Sequence, residues 1–70
     1  MTKDVVKCVS YADLEHAYNA YSTLALIYEN TFGGPYKARE HKEYFAIMDS
    51  RNNIRLEVER RAQENGHGEQ

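Results

Sequence analysis

A regular seam of apolar side chains between residues 10 and 32 constrains the fold of this chain more than any other feature. Consecutive members of the seam are three or four residues apart, the spacing that keeps side chains on one side of an α-helix. At about 100° per residue they form a stripe wide enough to be buried against a partner helix, wider than the line of a coiled coil. The seam consists of Tyr11, Leu14, Tyr18, Tyr21, Ala25, Tyr28 and Phe32.

Ser10 is predicted to cap this first helix. Asp13 follows three residues later, where its negative charge meets the positive end of the helix dipole. Val9 before the cap and Leu14 inside the helix have the spacing of a hydrophobic staple. We therefore expect the first helix to cover residues 11 to 30 or 31.

The sequence Phe32-Gly33-Gly34-Pro35 is the clearest break in the chain. Glycine adopts the left-handed conformation that ends many helices, and proline suits the first turn of the next helix. We therefore expect Gly33 or Gly34 to have a positive φ. A connection this short favours two antiparallel neighbouring helices, a helical hairpin.

A second helix is predicted to begin near Pro35 or Tyr36. Phe45 and Leu56 lie on the side opposite to its main apolar stripe. That stripe consists of Tyr36, Tyr44, Ile47, Met48, Ile54, Val58 and Ala62. Oppositely charged residues four apart also favour the helix, and these pairs are Arg39 with Glu43, Arg55 with Glu59, and Glu57 with Arg61.

Two segments leave alternatives open. Residues 1–9 contain β-branched residues that suit an extended segment, which we favour over a helical extension. Residues 54–59 alternate between apolar and charged side chains, so a strand there, paired with residues 5–9, is the alternative to a helix. We favour the helix because Leu, Glu and Arg are strong helix formers, although residues 49–53 are weak ones. Gly66 is the predicted stop, and residues 66–70 are a predicted disordered tail.

The chain has 70 residues and one cysteine, Cys8, so it forms one domain, predicted over residues 1–65, with no internal disulfide. A domain of this length buries only about 60% of the surface of its unfolded chain. Such domains usually depend on a disulfide, a metal or a partner subunit. We therefore predict an all-α fold, in which an antiparallel helical hairpin with an extended N-terminal segment dimerises into a four-helix bundle.

Such a dimer requires an apolar surface that the two helices of one copy leave uncovered. Tyrosine combines an apolar ring with a polar hydroxyl, so it suits surfaces that are buried in a complex and wet when free. The tyrosines equally fit a plain core or a surface for a different protein, and the sequence leaves these three uses open. The predicted interface residues are Tyr11, Leu14, Tyr18, Tyr21, Leu26, Ile27, Tyr28, Phe32, Tyr44, Phe45, Ile54, Leu56 and Val58.

The sequence contains no recognisable pattern for catalysis or metal binding. The possible metal ligands have neither the C-x-x-C nor the H-x-x-x-H spacing, and they are Cys8, His16, His41 and His67. Glu40, His41 and Glu43 are typical of a solvated charged face. A helical hairpin also offers little concave pocket for a substrate. We therefore predict a non-enzymatic protein with no cofactor and no metal.

The charged residues do not favour a nucleic acid, and the apolar runs do not favour a membrane. The formal net charge is -2, and the cations of the second helix alternate with acids instead of forming a stripe. Arg51 and Arg55 alone lie together, near the apolar face. There we expect them to pair with Glu15, Glu29 or acids of a second subunit. The longest apolar run, residues 24–28, is far shorter than the ~20 residues of a membrane span, so we expect a soluble, cytoplasmic protein.

These features together predict a small homodimeric protein-protein interaction module that binds or modulates another macromolecule, by elimination of the other classes. The alternative is a small dimeric regulator associated with nucleic acid. The two differ in their response to salt, since contacts with phosphates weaken steeply as salt is added.

Overall fold

In the computed structural model, which describes residues 1–68 and the side chains of residues 1–64, the chain consists of α-helices and short connections. The helices are α1 (Lys3–Lys7), α2 (Tyr11–Phe32), α3 (Pro35–Ala38) and α4 (Lys42–Gly68). The all-α prediction is therefore confirmed. The described residues contain no strand, so the strand alternative for residues 54–59 is wrong.

The N-terminal segment forms α1, so the extended conformation that we expected for it is wrong. Thr2 caps this helix, because its hydroxyl accepts a 3.2 Å hydrogen bond from the amide of Val5. Val6 is 2% exposed and packs with Leu14 and Ile54. Burying a valine side chain contributes about 1.5–3 kcal/mol, which exceeds the slight preference of β-branched residues for extended backbone.

α2 begins where the sequence predicts and ends within two residues of the prediction. The hydroxyl of Ser10 accepts a 3.2 Å hydrogen bond from the amide of Asp13, which confirms the N-cap. Gly33 has a φ of 85° and Gly34 a φ of 123°, so both adopt the positive φ that other residues resist. The amide of Gly34 donates a 2.7 Å hydrogen bond to the carbonyl of Glu29, which closes the end of the helix.

The second predicted helix is in fact two helices, because the chain turns at residues 39–41. The amide of His41 donates a 3.0 Å hydrogen bond to the carbonyl of Ala38, three residues back instead of four. The helix therefore tightens and stops there. At the last residue of the turn, the ring of His41 stacks on that of Phe32 with 3.8 Å between ring centroids. Helix propensity gives no sign of this turn, and contacts with α2 favour it.

α4 continues through both positions where the sequence suggests an interruption. Residues 49–53 are helical, and Asn53 is buried and donates a 3.0 Å hydrogen bond to the carbonyl of Met1. This tertiary contact offsets the poor helix propensity of the segment. The helix also passes Gly66 and reaches Gly68, so the predicted stop at Gly66 is wrong. Residues 69 and 70 of the predicted tail lie outside the described residues.

α2 and α4 pack against each other along two clusters of buried side chains. One cluster joins α1 to the first half of α2 and the second half of α4, and it consists of Val6, Leu14 and Ile54. The other joins α2 to α3 and the start of α4, and it consists of Ala25, Ala38, Tyr44 and Ile47. Two of these seven residues are alanines, so the core is small even for a chain of this length.

Candidate interaction surface

The predicted interface residues fall into three groups by burial. Those that the single chain buries, at 2% exposure or less, are Leu14, Tyr44 and Ile54. Those packed at the edge of the core and partly exposed are Tyr18, Tyr21, Tyr28, Phe32 and Val58. Those that remain exposed are Tyr11, Leu26, Ile27, Phe45 and Leu56. Only the members of the last group are at least 43% exposed and so offer a large area to another molecule.

A groove that we call groove A lies between the first half of α2 and the second half of α4. Its volume is 190 Å³ and its walls are apolar. The residues that line it are Tyr11, Glu15, Tyr18, Arg55, Val58 and Glu59. Tyr11 is 56% exposed at its edge. Groove A therefore combines an apolar floor with two acids and one base.

Arg55 forms its ion pair within α4, so the predicted pairing with Glu15 or Glu29 is wrong. Its Nη1 lies 2.9 Å from Oε1 of Glu59, one helical turn away. Arg55 pairs with Glu59 because an acid four residues along the same helix lies within reach, whereas Glu15 and Glu29 lie on α2. Among the described residues Arg51 forms no ion pair with a carboxylate.

The charge pairs predicted along the second helix have different outcomes. Arg55 and Arg61 form theirs, with Glu59 and Glu57. Among the described residues Arg39 forms no ion pair with its expected partner. Its guanidinium carbon lies instead 5.7 Å from the centre of the Tyr36 ring. Residues 39–41 form the turn, so the helical spacing that the prediction assumed does not exist there.

Glu29 accepts a 2.7 Å hydrogen bond at Oε2 from the hydroxyl of Tyr44. This hydrogen bond, together with burial of the ring, raises the pKa of Tyr44 above its ordinary value of 10.0. The Tyr44 ring lies 6.4 Å from that of Tyr28, which lies 5.8 Å from that of Phe32. These aromatic residues thus form the side of the core near the turn at residues 39–41. The hydroxyl of Tyr44 has its hydrogen-bond partner in Glu29.

Glu57 is a carboxylate held by two arginines, and the sequence predicted its pair with Arg61 but neither its burial nor the contact with Arg60. It is 5% exposed. Its Oε2 accepts hydrogen bonds from Nε of Arg61 at 2.6 Å and Nη2 of Arg60 at 2.7 Å, and its Oε1 accepts one from Nε of Arg60 at 3.0 Å. The hydrogen bonds from Arg60 and then Arg61 lower the pKa of Glu57 from 4.5 to about 2.

Arg61 extends this network to α1. Its Nη2 donates hydrogen bonds to the carbonyl of Val9 at 2.8 Å and to that of Val6 at 3.1 Å. Carbonyls at the end of a helix have no partner within the helix and attract cations. Glu57 and Arg61 together therefore fix the end of α1 against α4.

A second groove, which we call groove B, lies beside this network between α1 and α4, with a volume of 240 Å³. Its lining includes Lys3 and Lys7 from α1 and Arg60 from α4, and these three residues are exposed. Val6 and Leu56 supply its apolar surface. The remaining lining residues are Asn53 and Glu57. Groove B therefore presents more positive than negative groups.

The part of the chain that the structure describes holds no group of three or more His, Cys, Asp or Glu side chains placed to bind a metal ion. Cys8 is an exposed free thiol, His16 is exposed, and His41 stacks on Phe32. The side chain of His67 lies outside the described ones. Within residues 1–68 no helix has the length and apolar character required to cross a membrane.

No protein-family model matches the chain, and neither curated proteins nor solved structures provide a match.

Proposed function

We propose that this protein is a small non-enzymatic interaction protein that self-associates and binds another macromolecule, whose activity it modulates. The observation that carries the proposal is the contrast between a small core and many exposed apolar side chains. Seven apolar residues are buried among the described ones, whereas eight large ones are at least 41% exposed. The exposed ones are Val5, Tyr11, Leu24, Leu26, Ile27, Tyr36, Phe45 and Leu56. Contiguous apolar surface left exposed on a small protein usually marks an interface, and grooves A and B are where such surface lies between helices.

The proposed architecture is a helical hairpin of α2 and α4 that pairs with a second copy into a four-helix bundle. Leu14 in the first half of α2 packs with Ile54 in the second half of α4, and Ala25 further along α2 packs with Tyr44 at the start of α4. This order of contacts supports an antiparallel pair. The molecule measures 20 by 17 Å across its long axis, which leaves room for no more than two helices of about 10–12 Å diameter side by side. Each long helix therefore has a side without a neighbour.

Groove A is the proposed seam between two copies. The exposed ring of Tyr11 and the edge of Val58 supply apolar surface, and the charges around them are self-complementary. In a twofold arrangement, Arg55 of one copy faces Glu15 of the other, and the symmetric pair forms at the same time. A second copy therefore matches both the apolar floor and the charges of the groove.

A charge-reversal pair tests this seam. Arg55→Glu and Glu15→Arg each place like charges across the seam, so each variant alone should self-associate at least tenfold more weakly than the natural chain. An equimolar mixture of the two variants restores opposite charges at both contacts, so it should recover association as a mixed dimer. Sedimentation equilibrium measures both effects. If each variant associates as strongly as the natural chain, or if mixing restores nothing, Arg55 and Glu15 do not meet across a seam.

A nucleic-acid-associated regulator is the weaker candidate. Arg55, Arg60 and Arg61 form ion pairs with acids on their own helix, which reduces the charge they offer to phosphates. The proposed compartment is the cytoplasm, because a lone free thiol such as Cys8 is compatible with reducing conditions.

A further inference from the structure

Groove B has the size and chemistry to receive one apolar side chain in a positively charged setting. Its 240 Å³ lies below the ~300–1,000 Å³ typical of pockets for drug-sized ligands. Leu56 is 43% exposed beside it, although leucine is usually buried. An apolar side chain from a partner would bury that leucine.

No acidic side chain that lines groove B neutralises the charges of Lys3 and Lys7. Lys3 and Lys7 lie one turn apart on α1, and neither forms an ion pair with a carboxylate among the described residues. Glu57 is the one acid that lines the groove, and both of its oxygens are occupied by Arg60 and Arg61. Its charge is therefore balanced by arginines and does not compensate the lysines. Asp4 of α1 does not line the groove.

We propose that groove B binds an acidic amphipathic segment of another protein, which places an apolar side chain against Leu56 and carboxylates beside Lys3 and Lys7. This inference rests on the proposed interaction function and specifies the chemistry of the partner. An amphipathic helix in a groove is a common mode of recognition. The apolar surface and the engaged Glu57 favour such a segment over a nucleic acid, whose backbone would meet only the cations.

The probe for this proposal is a fluorescein-labelled synthetic helical peptide with leucines along one face and glutamates elsewhere. One control peptide replaces the glutamates by glutamine, and another replaces the leucines by serine. Fluorescence anisotropy measures the binding of each peptide at low salt and at high salt. A labelled single-stranded oligonucleotide is tested alongside.

The variants separate groove B from the general charge of the chain. Lys3→Gln with Lys7→Gln removes the two lysines of the groove, whereas Lys37→Gln with Lys42→Gln removes the same charge from exposed positions elsewhere. Circular dichroism confirms that both double variants remain helical. We expect the first to weaken binding of the acidic peptide at least tenfold, and the second less than twofold. Leu56→Ser should weaken it at least fivefold.

Groove B is not the proposed site if the acidic peptide fails to bind, or if both lysine pairs weaken it equally. The same conclusion follows if the oligonucleotide binds more tightly through Lys3 and Lys7 than the peptide does. Sedimentation of the same variants measures self-association through groove A independently. If the natural chain self-associates but does not bind the acidic peptide, the proposal for groove B alone is overturned. If the natural chain does not self-associate, the proposed function is overturned.

Discussion

Nη2 of Arg61 lies 2.8 Å from the backbone carbonyl oxygen of Val9, so the far end of α4 holds the junction between α1 and α2. The same guanidinium contacts Glu57 through Nε at 2.6 Å. Five residues are too few for a helix that is stable by itself, so α1 depends on such contacts, which also include the burial of Val6 and the hydrogen bonds of Met1 with Ser50 and Asn53. These contacts together therefore determine whether groove B exists.

Replacing Arg61 by alanine should lower the free energy of unfolding by about 1–3 kcal/mol, because the variant leaves Glu57 with one arginine and removes the side-chain donor from the carbonyls of Val6 and Val9. Urea unfolding followed by circular dichroism measures the loss. Arg39→Ala is the matched control, since this arginine is exposed and its guanidinium lies over the Tyr36 ring, and it should cost less than about 1 kcal/mol. Equal losses in the two variants would show that Arg61 does not fix α1.

Glu57 should make the fold sensitive to acid. Its pKa in the folded chain is about 2, below the ordinary 4.5, so the folded state binds the proton less tightly than the unfolded state. The stabilisation is fully present above pH 4.5 and is lost as the pH falls through about 2. Thermal unfolding across this range measures the loss. Glu57→Gln should be less stable at neutral pH and should show a shallower acid dependence; an unchanged slope would contradict the assignment.

Tyr44 should make the fold sensitive to alkali. Its pKa is raised above 10.0, so the stabilisation is present below pH 10.0 and is lost as the pH rises through the higher value of the folded chain. Tyr44→Phe removes the hydroxyl and should lower the free energy of unfolding by about 1–2 kcal/mol at neutral pH. Tyr36→Phe, on a ring that is 83% exposed, should change it by less than about 0.5 kcal/mol. If Tyr44→Phe leaves the free energy of unfolding unchanged, the hydrogen bond to Glu29 contributes nothing to stability.

The two glycines of the turn offer a test by chemical synthesis. L-Alanine at Gly33 or at Gly34 should destabilise the fold by about 1 kcal/mol at each site, because both have a positive φ. A Cβ at Gly34 would meet nothing within 4 Å, so any cost there comes from the backbone. D-Alanine prefers positive φ and should be tolerated at Gly34. Thermal unfolding of the three synthetic chains decides the matter, and an equal loss with both enantiomers would point to crowding instead.

Local signals predicted the long helix well. Helix α2 could be located from the sequence because its signals are local. These signals are the Ser10 cap, the apolar seam and the two glycines at its end. The bounds of the short helices α1 and α3 could not be located in this way. α1 depends on burial of Val6 against Leu14 and Ile54, which are distant in sequence, and the turn at residues 39–41 depends on contacts with α2.

The candidate site was only partly predictable for the same reason. The spacing of Glu57 and Arg61 predicted their ion pair, but not that the carboxylate is buried or that the arginine reaches α1. The spacing also predicted the pair of Arg55 with Glu59, which forms, whereas the expected pairing of Arg55 with Glu15 or Glu29 of α2 does not. Grooves A and B both lie between helices, so their lining depends on how the helices pack. The apolar side chains of Tyr11 and Leu56 were the sequence signals that pointed to them.

Self-association is the central claim, and sedimentation velocity over a concentration series measures it most directly. We expect the natural chain to pass from monomer to dimer across the micromolar range, and Tyr11→Ser to shift that transition at least tenfold higher because it removes an exposed ring of groove A. Tyr36→Ser removes a ring that is even more exposed but lies on α3, so it should leave the transition unchanged. A folded monomer from low to high micromolar concentration would contradict the claim.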